Sequence, residues 1–401
     1  MVQLTKVLIL ASGLAATAFS LERARIGSPI NIKISSLPSP SKPTLQHSAP
    51  SFLSATSPIS QNAHVVASLE PEHQKGGFMS LIWNESTKLS IYLAIWYCGN
   101  IYYNIFNKKA CNALGKSAHG GSNLHWALSA VQLLVGVLLV FPMWLTGLRK
   151  APELTADNWK ELAPVGLFAS LSHAFSVLSM SAGAVSFGQI VKAGEPVFAA
   201  ATNAVLLKDI DHPMVYAALL PIIGGVGIAS LKELSFTWTA LIAASAANQA
   251  AALKNVVSKG VMKKPWAKAL GGQNTYAVVT ILALLFTLPF VAFFDVKDMA
   301  DVYQQVQNAG TGMDVLKYSV LSGLAFYMYN EASFLALERL SPVTHSVANT
   351  LKRVIIIVAS CIVFKTPMSK EGMLGSGVAV AGTLLYSLAK GQYSKGKGGG
   401  H

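Results

Sequence analysis

Residues 161–206 read ELAPVGLFASLSHAFSVLSMSAGAVSFGQIVKAGEPVFAAATNAVL. This stretch holds two apolar runs, 161–182 and 185–206, with only Gly183 and Ala184 between them. Each run is close to the ~20 residues that a helix needs to cross a bilayer. Because the joint is so short, the sequence predicts a tight helical hairpin that enters a membrane and returns.

The composition of the whole chain agrees with a membrane protein. Of 401 residues, 52% are hydrophobic and only 12% are charged, with a formal net charge of +13, whereas soluble domains are about 25% charged. Nucleic-acid binders are basic because they are rich in charge, and disordered chains lack apolar residues. Three cysteines are too few for a disulfide scaffold. We therefore expect a polytopic protein with a lipid bilayer, not nucleic acid, around it.

Apolar runs alternate with short polar joints along most of the chain. This alternation predicts ten membrane spans, namely 89–106, 124–146, 161–182, 185–206, 213–231, 235–257, 272–294, 316–337, 342–364 and 371–389. Lysines are more numerous in the joints on the side of both termini, so the termini are expected to share the more basic side.

The second half of the chain echoes the first. Lys208 follows span four and Lys365 follows span nine at an offset of 157 residues, and Gly225 meets Gly382 at the same offset. Chance similarity between glycine-rich helices is the alternative. Because five is odd, the second unit would be inverted relative to the first, as in many transporters. The predicted fold is all-α, with ten transmembrane helices as two inverted five-helix repeats; its parts are 89–231, 235–390 and a flexible tail, 391–401.

Four cationic residues lie inside predicted membrane helices, where a charged side chain is energetically unfavourable. Lys192 is near the middle of span four, Lys254 is in span six, and Lys352 and Arg353 are near the middle of span nine. Each costs roughly 2.5–3.5 kcal/mol at a helix centre, and such residues usually face the interior of the bundle and carry function. For Lys254 the alternative to an inward position is that its side chain extends towards the nearby membrane interface.

Internal ion pairing is the competing explanation for these cations. Glu195 lies three positions after Lys192, and Glu331 in span eight is available to a cation of span nine. Two acids do not balance four cations, so an unmatched positive charge of about two is expected inside the membrane. Fixed cations in a dry pocket suit an organic anion, above all a phosphate ester, which arginine grips through a planar fork and lysine through a point charge.

Polar side chains on other spans are candidates for the same pocket. His173 and Ser176 share one face of span three, and Tyr329 lies in span eight. For His173 an interhelical hydrogen bond is the equally weighted alternative. The cysteines are scattered and no histidine pair has metal-binding spacing, so no metal or cofactor is expected.

Two stretches resemble a known family. Residues 186–196, SFGQIVKAGEP, and residues 337–353, LERLSPVTHSVANTLKR, are similar to motifs of the plastid phosphate translocators, in the drug/metabolite transporter superfamily. The resemblance runs from about residue 88 to 390. It implies ten helices in two inverted repeats, a position in the plastid envelope, and exchange of a phosphorylated compound for inorganic phosphate.

The resemblance also implies roles for individual residues. Lys192, Lys352 and Arg353 would bind the phosphate moiety, and Tyr329 would contact the substrate. His173 and Ser176 would line the three-carbon end; the family usually has Thr where Ser176 stands.

Two stretches depart from the family pattern. Gly188-Gln189 replaces the usual Thr-His, and 250–254 lacks the family's aromatic residue and has Lys254 in place of its arginine. Span nine favours the phosphoenolpyruvate type of carrier, while the histidine of span three favours the triose-phosphate type.

The expected function is an antiporter, not an enzyme. It would exchange inorganic phosphate for phosphorylated three-carbon compounds, triose phosphate or 3-phosphoglycerate, as a monomer or homodimer. Phosphoenolpyruvate/phosphate exchange is the first alternative, and a nucleotide-sugar carrier or a membrane-embedded phosphotransferase are more distant ones.

The N-terminal region has the composition of a targeting leader. Residues 1–18 have a short positive start, an apolar run and a small-residue cleavage site, which predicts a signal peptide; a first transmembrane helix is the alternative. Residues 19–88 are rich in serine and poor in acids at first, as in a transit peptide and disordered leader. This order resembles the bipartite leaders of algae with a red-alga-derived plastid.

Overall fold

The structure is a computed structural model that describes residues 85–115, 124–231, 236–337, 339–340, 342–366 and 368–393. The predicted signal peptide and nearly all of the predicted leader lie outside the described residues, but the last four residues of that leader, 85–88, already belong to the first helix. The last helix runs to Tyr393, three residues past the predicted boundary at 390, and the rest of the predicted tail is outside the description.

All regular structure in the described residues is helical. The α-helices are α1 Glu85–Leu114, α2 His125–Leu145, α3 Ala156–Ala182, α4 Val185–Lys192, α5 Glu195–Leu206, α6 Pro213–Ala217, α7 Leu219–Leu231, α8 Trp238–Val261, α9 Pro265–Phe290, α10 Val296–Ala309, α11 Gly312–Leu337, α12 Pro342–Phe364 and α13 Lys370–Tyr393, with a π-helical segment at Val291–Asp295.

Six helical segments of the described chain are long and apolar enough to cross a membrane. They are His125–Leu145, Ala156–Ala182, Pro213–Leu231, Pro265–Ala309, Val347–Phe364 and Lys370–Tyr393. The prediction of an all-α polytopic membrane protein is thereby confirmed. Each of the ten predicted spans overlaps a helix or a broken helix, but the count of ten stays a prediction, because the other four are interrupted or carry more polar residues.

Helix pairs run in the directions that alternating spans require. α1 and α11 are antiparallel: Gly99 packs on Tyr329, while Thr311 Oγ1 donates to the carbonyl of Ala113 at 2.9 Å. α3 and α8 are also antiparallel, since Ser179 Oγ donates to the carbonyl of Ala240 at 3.0 Å, while the earlier Ser172 Oγ donates to the carbonyl of the later Ala247 at 3.1 Å.

These two pairings are related by a simple exchange. α1 and α11 are the first and eighth predicted spans, and α8 and α3 are the sixth and third. If each span is replaced by its counterpart in the other five-span half, span one becomes span six and span eight becomes span three. The first pairing then becomes the second. This is the packing that two inverted five-helix units would produce.

The joints after spans four and nine share an uncommon backbone conformation. Lys208 has φ 52° and Lys365 has φ 53°, both in the left-handed region that residues other than glycine rarely occupy. Lys208 lies shortly after α5 and Lys365 directly after α12. The offset of 157 residues read from the sequence therefore also relates two matching local structures.

α7 and α13 meet at glycines. A Cβ on Gly375 would lie 2.6 Å from both the nitrogen of Ala229 and the oxygen of Gly225, so the two backbones touch. Small residues permit this approach in lipid, where dispersion and not the hydrophobic effect holds helices together.

Candidate functional site

A cavity of about 380 Å³ lies in the middle of the bundle. Its walls come from α1, α2, α3, α4, α8, α9 and α11. Four of the six predicted site residues line it, namely His173, Ser176, Lys192 and Tyr329. The other lining residues include Tyr103, Lys254 and Tyr276, which lie outside that prediction. Lys352 and Arg353 do not line it.

Lys192 reaches the cavity from a break in the hairpin. α4 ends at Lys192, and the next helix begins at Glu195 with proline as its second residue. The Lys192 Nζ donates to Ser176 Oγ at 2.8 Å, and this hydroxyl donates in turn to the carbonyl of Ser172 at 2.6 Å. The structure thus brings together two residues that the sequence placed in one site.

Arg353 pairs with Glu195, the one carboxylate near this group among the described residues. Its Nη2 lies 2.6 Å from Glu195 Oε2, with 9% of the arginine side chain and 29% of the glutamate side chain exposed. The alternative pairing of Glu195 with Lys192 is not formed, because the helix is interrupted between them and the carboxylate turns to α12. Glu195 is nevertheless within electrostatic range of Lys192, Lys254 and Lys352.

Lys352 lies against aromatic rings. Its Nζ is 5.2 Å from the centroid of Trp96 and 6.0 Å from that of Tyr329, which are cation–π distances. Tyr329 lines the cavity, so the charge of Lys352 lies next to the cavity wall.

The second intramembrane acid has a different partner from the one considered. Glu331 pairs with Arg149, from the joint after α2, and accepts from Gln273 Nε2 at 3.0 Å. A pair between Glu331 and a cation of α12 is therefore wrong. Sequence reasoning placed Arg149 in a solvated joint, but only 12% of its side chain is exposed.

This pairing increases the uncompensated charge. Among the described residues, Lys192, Lys254, Lys352 and Arg353 share Glu195 as their one acidic neighbour. Counted with every one of these side chains ionised, the surplus is three positive charges, not about two. Lys254, for which extension towards the interface was the alternative, lines the cavity instead.

His173 is placed by aromatic packing. Its ring centroid is 4.0 Å from that of Phe326 and 6.3 Å from that of Tyr103. Its Nε2 is buried and has no hydrogen-bond partner in the described part of the chain. The interhelical hydrogen bond considered as its alternative role is therefore not made by this nitrogen.

The cavity is closed towards the end of α1. Gln189 Nε2 donates to Asn104 Oδ1 at 2.9 Å, Gln132 Nε2 donates to Asn107 Oδ1 at 2.7 Å, and Lys108 Nζ donates to the carbonyl of Gly183 at 2.8 Å. Gln189 stands where the family has histidine, and its side-chain amide is thus engaged in a hydrogen bond to α1.

The opposite end of the cavity follows the helices to the other membrane side. Its lining includes Met262, just past α8, and Leu337, the last residue of α11. Because α11 runs antiparallel to α1, this is the side where α1 begins. The cavity therefore approaches one membrane side only.

A helical membrane protein with a central cavity, closed on one side and surrounded by uncompensated cations, has the features of a carrier for anionic solutes. Residues 87–387 match the Triose-phosphate Transporter family, and the chain belongs to this family. The family resemblance identified from the two motifs is thereby confirmed.

Relatives from plants cover most of the chain. It is 33% identical to the glucose-6-phosphate/phosphate translocator 1 of Arabidopsis thaliana, over 90% of this chain and 93% of that protein. It is 35% identical to the triose phosphate/phosphate translocator of non-green plastids from Brassica oleracea var. botrytis, over 76% and 73%. It is 37% identical to the phosphoenolpyruvate/phosphate translocator 3 of Oryza sativa subsp. japonica, over 76% and 75%.

Proposed function

We propose that this protein exchanges inorganic phosphate for phosphorylated three-carbon compounds, triose phosphate or 3-phosphoglycerate, across a plastid envelope membrane. The observation that carries the proposal is the surplus of three positive charges around a cavity with access from one side. The relatives differ in the organic phosphate of their names, but phosphate is common to all three.

In this proposal the phosphate group lies between α4, α8 and α12. Lys192 and Lys254 are on the cavity wall, and Arg353 and Lys352 reach the phosphate when the cavity closes around it. Ser176 accepts from Lys192 and so holds its ammonium group at the cavity wall, where the remaining N–H bonds of Lys192 are available to a ligand oxygen. Tyr329, with Lys352 against its ring, lies where it would contact the same ligand.

The charge surplus supports strict exchange. Closing the empty cavity would bury three unpaired cations, and a buried charge without a partner costs several kcal/mol. Bound phosphate, with about two negative charges, compensates most of this surplus, so the loaded carrier changes sides and the empty one does not.

Phosphoenolpyruvate/phosphate exchange is a second candidate. The observation in its favour is Lys254, a further cation on the cavity wall that suits the carboxylate of phosphoenolpyruvate as it suits that of 3-phosphoglycerate.

A plastid envelope is the proposed location. The curated relatives named above are chloroplastic or plastid proteins, and residues 19–88 have the composition of a transit peptide. The apolar run and cleavage site within 1–18 support a plastid of red-algal descent.

The test is counter-exchange in proteoliposomes loaded with labelled phosphate. External triose phosphate or 3-phosphoglycerate should release the label one for one, with phosphoenolpyruvate and glucose 6-phosphate as comparisons. Rapid efflux into medium without any counter-substrate would contradict strict exchange. Recovery of a chemically altered organic product would instead indicate an enzyme.

A further inference from the structure

The cavity has two walls of different chemistry. The cations Lys192 and Lys254 stand on α4 and α8, which pack together. Tyr103 and Tyr276 stand on α1 and α9, both of which pack against α11. Neither tyrosine belongs to the two motifs that identified the family.

Tyr103 is held in place by aromatic rings. Its side chain is 5% exposed, and its ring centroid is 5.2 Å from Phe326 and 5.6 Å from Tyr329. Its hydroxyl has no hydrogen-bond partner within the described residues. The ring of Tyr103 is fixed by packing, while its hydroxyl oxygen makes no hydrogen bond within the described residues.

Tyr276 has the same character on the neighbouring helix. It is 8% exposed and packs against Tyr327 and Phe334, each with its ring centroid 5.3 Å away. The hydroxyl of Thr280, one turn on, lies near the phenol of Tyr276 but donates to the carbonyl of Tyr276 at 2.8 Å. The phenol of Tyr276 is also without a partner in the described chain.

Unpartnered buried polar atoms are rare and unfavourable in proteins. Here three of them, Tyr103 Oη, Tyr276 Oη and His173 Nε2, belong to residues that line one cavity. The two tyrosines are also close enough to interact electrostatically. Because these three atoms are buried, a ligand with several oxygens would supply them with partners as the cavity closes around it.

We propose that Tyr103 and Tyr276, together with His173, bind the oxygens at the non-phosphorylated end of the organic substrate. The ligand class is a phosphate monoester that carries at least two further oxygens, as carbonyl, hydroxyl or carboxylate. A phenol donates to a carbonyl or carboxylate and accepts from a hydroxyl, so it serves all of these. The inference rests on the proposed function, in which the cations hold the phosphate end.

The two walls then have separate tasks. Inorganic phosphate does not reach Tyr103 and Tyr276, whereas the organic phosphate contacts both the cations and these two tyrosines. Removing a phenol hydroxyl should therefore weaken the organic substrate and leave inorganic phosphate almost unaffected.

The experiment compares Tyr103→Phe and Tyr276→Phe with wild type in proteoliposomes. Tyr327→Phe is the matched control, because the hydroxyl of Tyr327 accepts from Arg149 and Tyr327 does not line the cavity. Each protein is assayed for phosphate/phosphate homoexchange, and for exchange of phosphate against dihydroxyacetone phosphate and n-propyl phosphate. The last two have equal charge and chain length, but only the first has further oxygens.

Wild type should have a KM for dihydroxyacetone phosphate about tenfold or more below that for propyl phosphate, because loss of a partner for a buried polar group is costly. Each cavity variant should raise the first KM by about tenfold and leave propyl phosphate and homoexchange within about twofold. The control should change neither.

Two results would overturn the inference while the proposed function stands. One is a wild type that exchanges phosphate but does not distinguish the two esters. The other is a pair of variants in which homoexchange falls as much as triose phosphate exchange, or in which no KM changes. Absence of phosphate exchange in wild type would instead overturn the proposed function.

Discussion

Two largely buried arginine–glutamate pairs lie among the described residues of this bundle, and they differ in their surroundings. Arg353 pairs with Glu195 at the centre, with three lysines in electrostatic range of the same carboxylate. Arg149 pairs with Glu331 near the helix ends, where the other contacts are the neutral side chains of Gln273 and Tyr327. The pair of Arg149 and Glu331 is balanced in charge and joins two helices. Around the pair of Arg353 and Glu195, the positive charges of the three lysines have no acidic partner and are available to a ligand.

The strongest test of this contrast is Arg353→Ala. We expect this variant to insert into the membrane but to lose exchange, because Glu195 would remain as an unpaired anion beside the lysines that are to bind phosphate. The measurements are counter-exchange in proteoliposomes and the amount of protein in the membrane fraction.

Arg149→Ala is the matched substitution at the other pair. Breaking a buried pair by removing one partner costs about 3–5 kcal/mol, so we expect lower thermal stability but a phosphate KM near wild type in the protein that folds. Near-normal exchange by Arg353→Ala, or loss of phosphate affinity in Arg149→Ala, would contradict the proposal that the central pair serves the ligand and the other pair serves only the fold.

A change of intermediate size is expected for Glu195→Gln. The surplus near the cavity would rise from three to four positive charges, so phosphate should bind more tightly and leave more slowly. Both KM and kcat for phosphate exchange should fall by about threefold to tenfold, which corresponds to roughly 1 kcal/mol for one more charge near a partly solvated site.

Glu331→Gln is the control, because it removes the same charge from the balanced pair. Its phosphate KM should equal that of wild type even if less protein folds. A phosphate KM that rises in Glu195→Gln would show that the carboxylate supports binding and does not compete with the ligand.

The smallest effect is expected for Lys254→Gln. Lys254 lines the cavity but is not part of the resemblance-based site, so we expect it to respond to a second charge on the substrate. The ratio of KM for 3-phosphoglycerate to KM for triose phosphate should rise about threefold.

Lys259→Gln on the same helix serves as the comparison, since Lys259 Nζ donates to Asn203 at 3.3 Å and does not line the cavity. Equal shifts in both variants would mean that the general charge of α8 matters and not the position of Lys254.

The sequence was informative wherever a single residue carries the signal. Apolar runs indicated the helices, and a charge such as Lys192 in such a run was visible without any structure. The partners of Glu195 and Glu331 were not predictable in this way, because they depend on the break at Ala193-Gly194 and on which helices meet.

Other residues had no distinguishing signal. Arg149 sits in a joint, where a basic residue is ordinary, and only the packing of α2 against α11 buries it. Tyr103 and Tyr276 are aromatic residues in apolar helices, and the missing hydrogen bonds that mark them become visible only with the cavity. The assignment of Lys192, Lys352 and Arg353 to phosphate stays a prediction for the experiments above.

The glycine contact between α7 and α13 has a consequence for motion. The backbones touch at Gly225 and Gly375, so sliding one helix along the other would drive side chains into main chain. These two helices must travel as one rigid unit while the cavity opens and closes. The distance between two spin labels on the outer faces of α7 and α13 should be the same with and without substrate. This constant distance is the reference against which movement of α1 or α8 is measured.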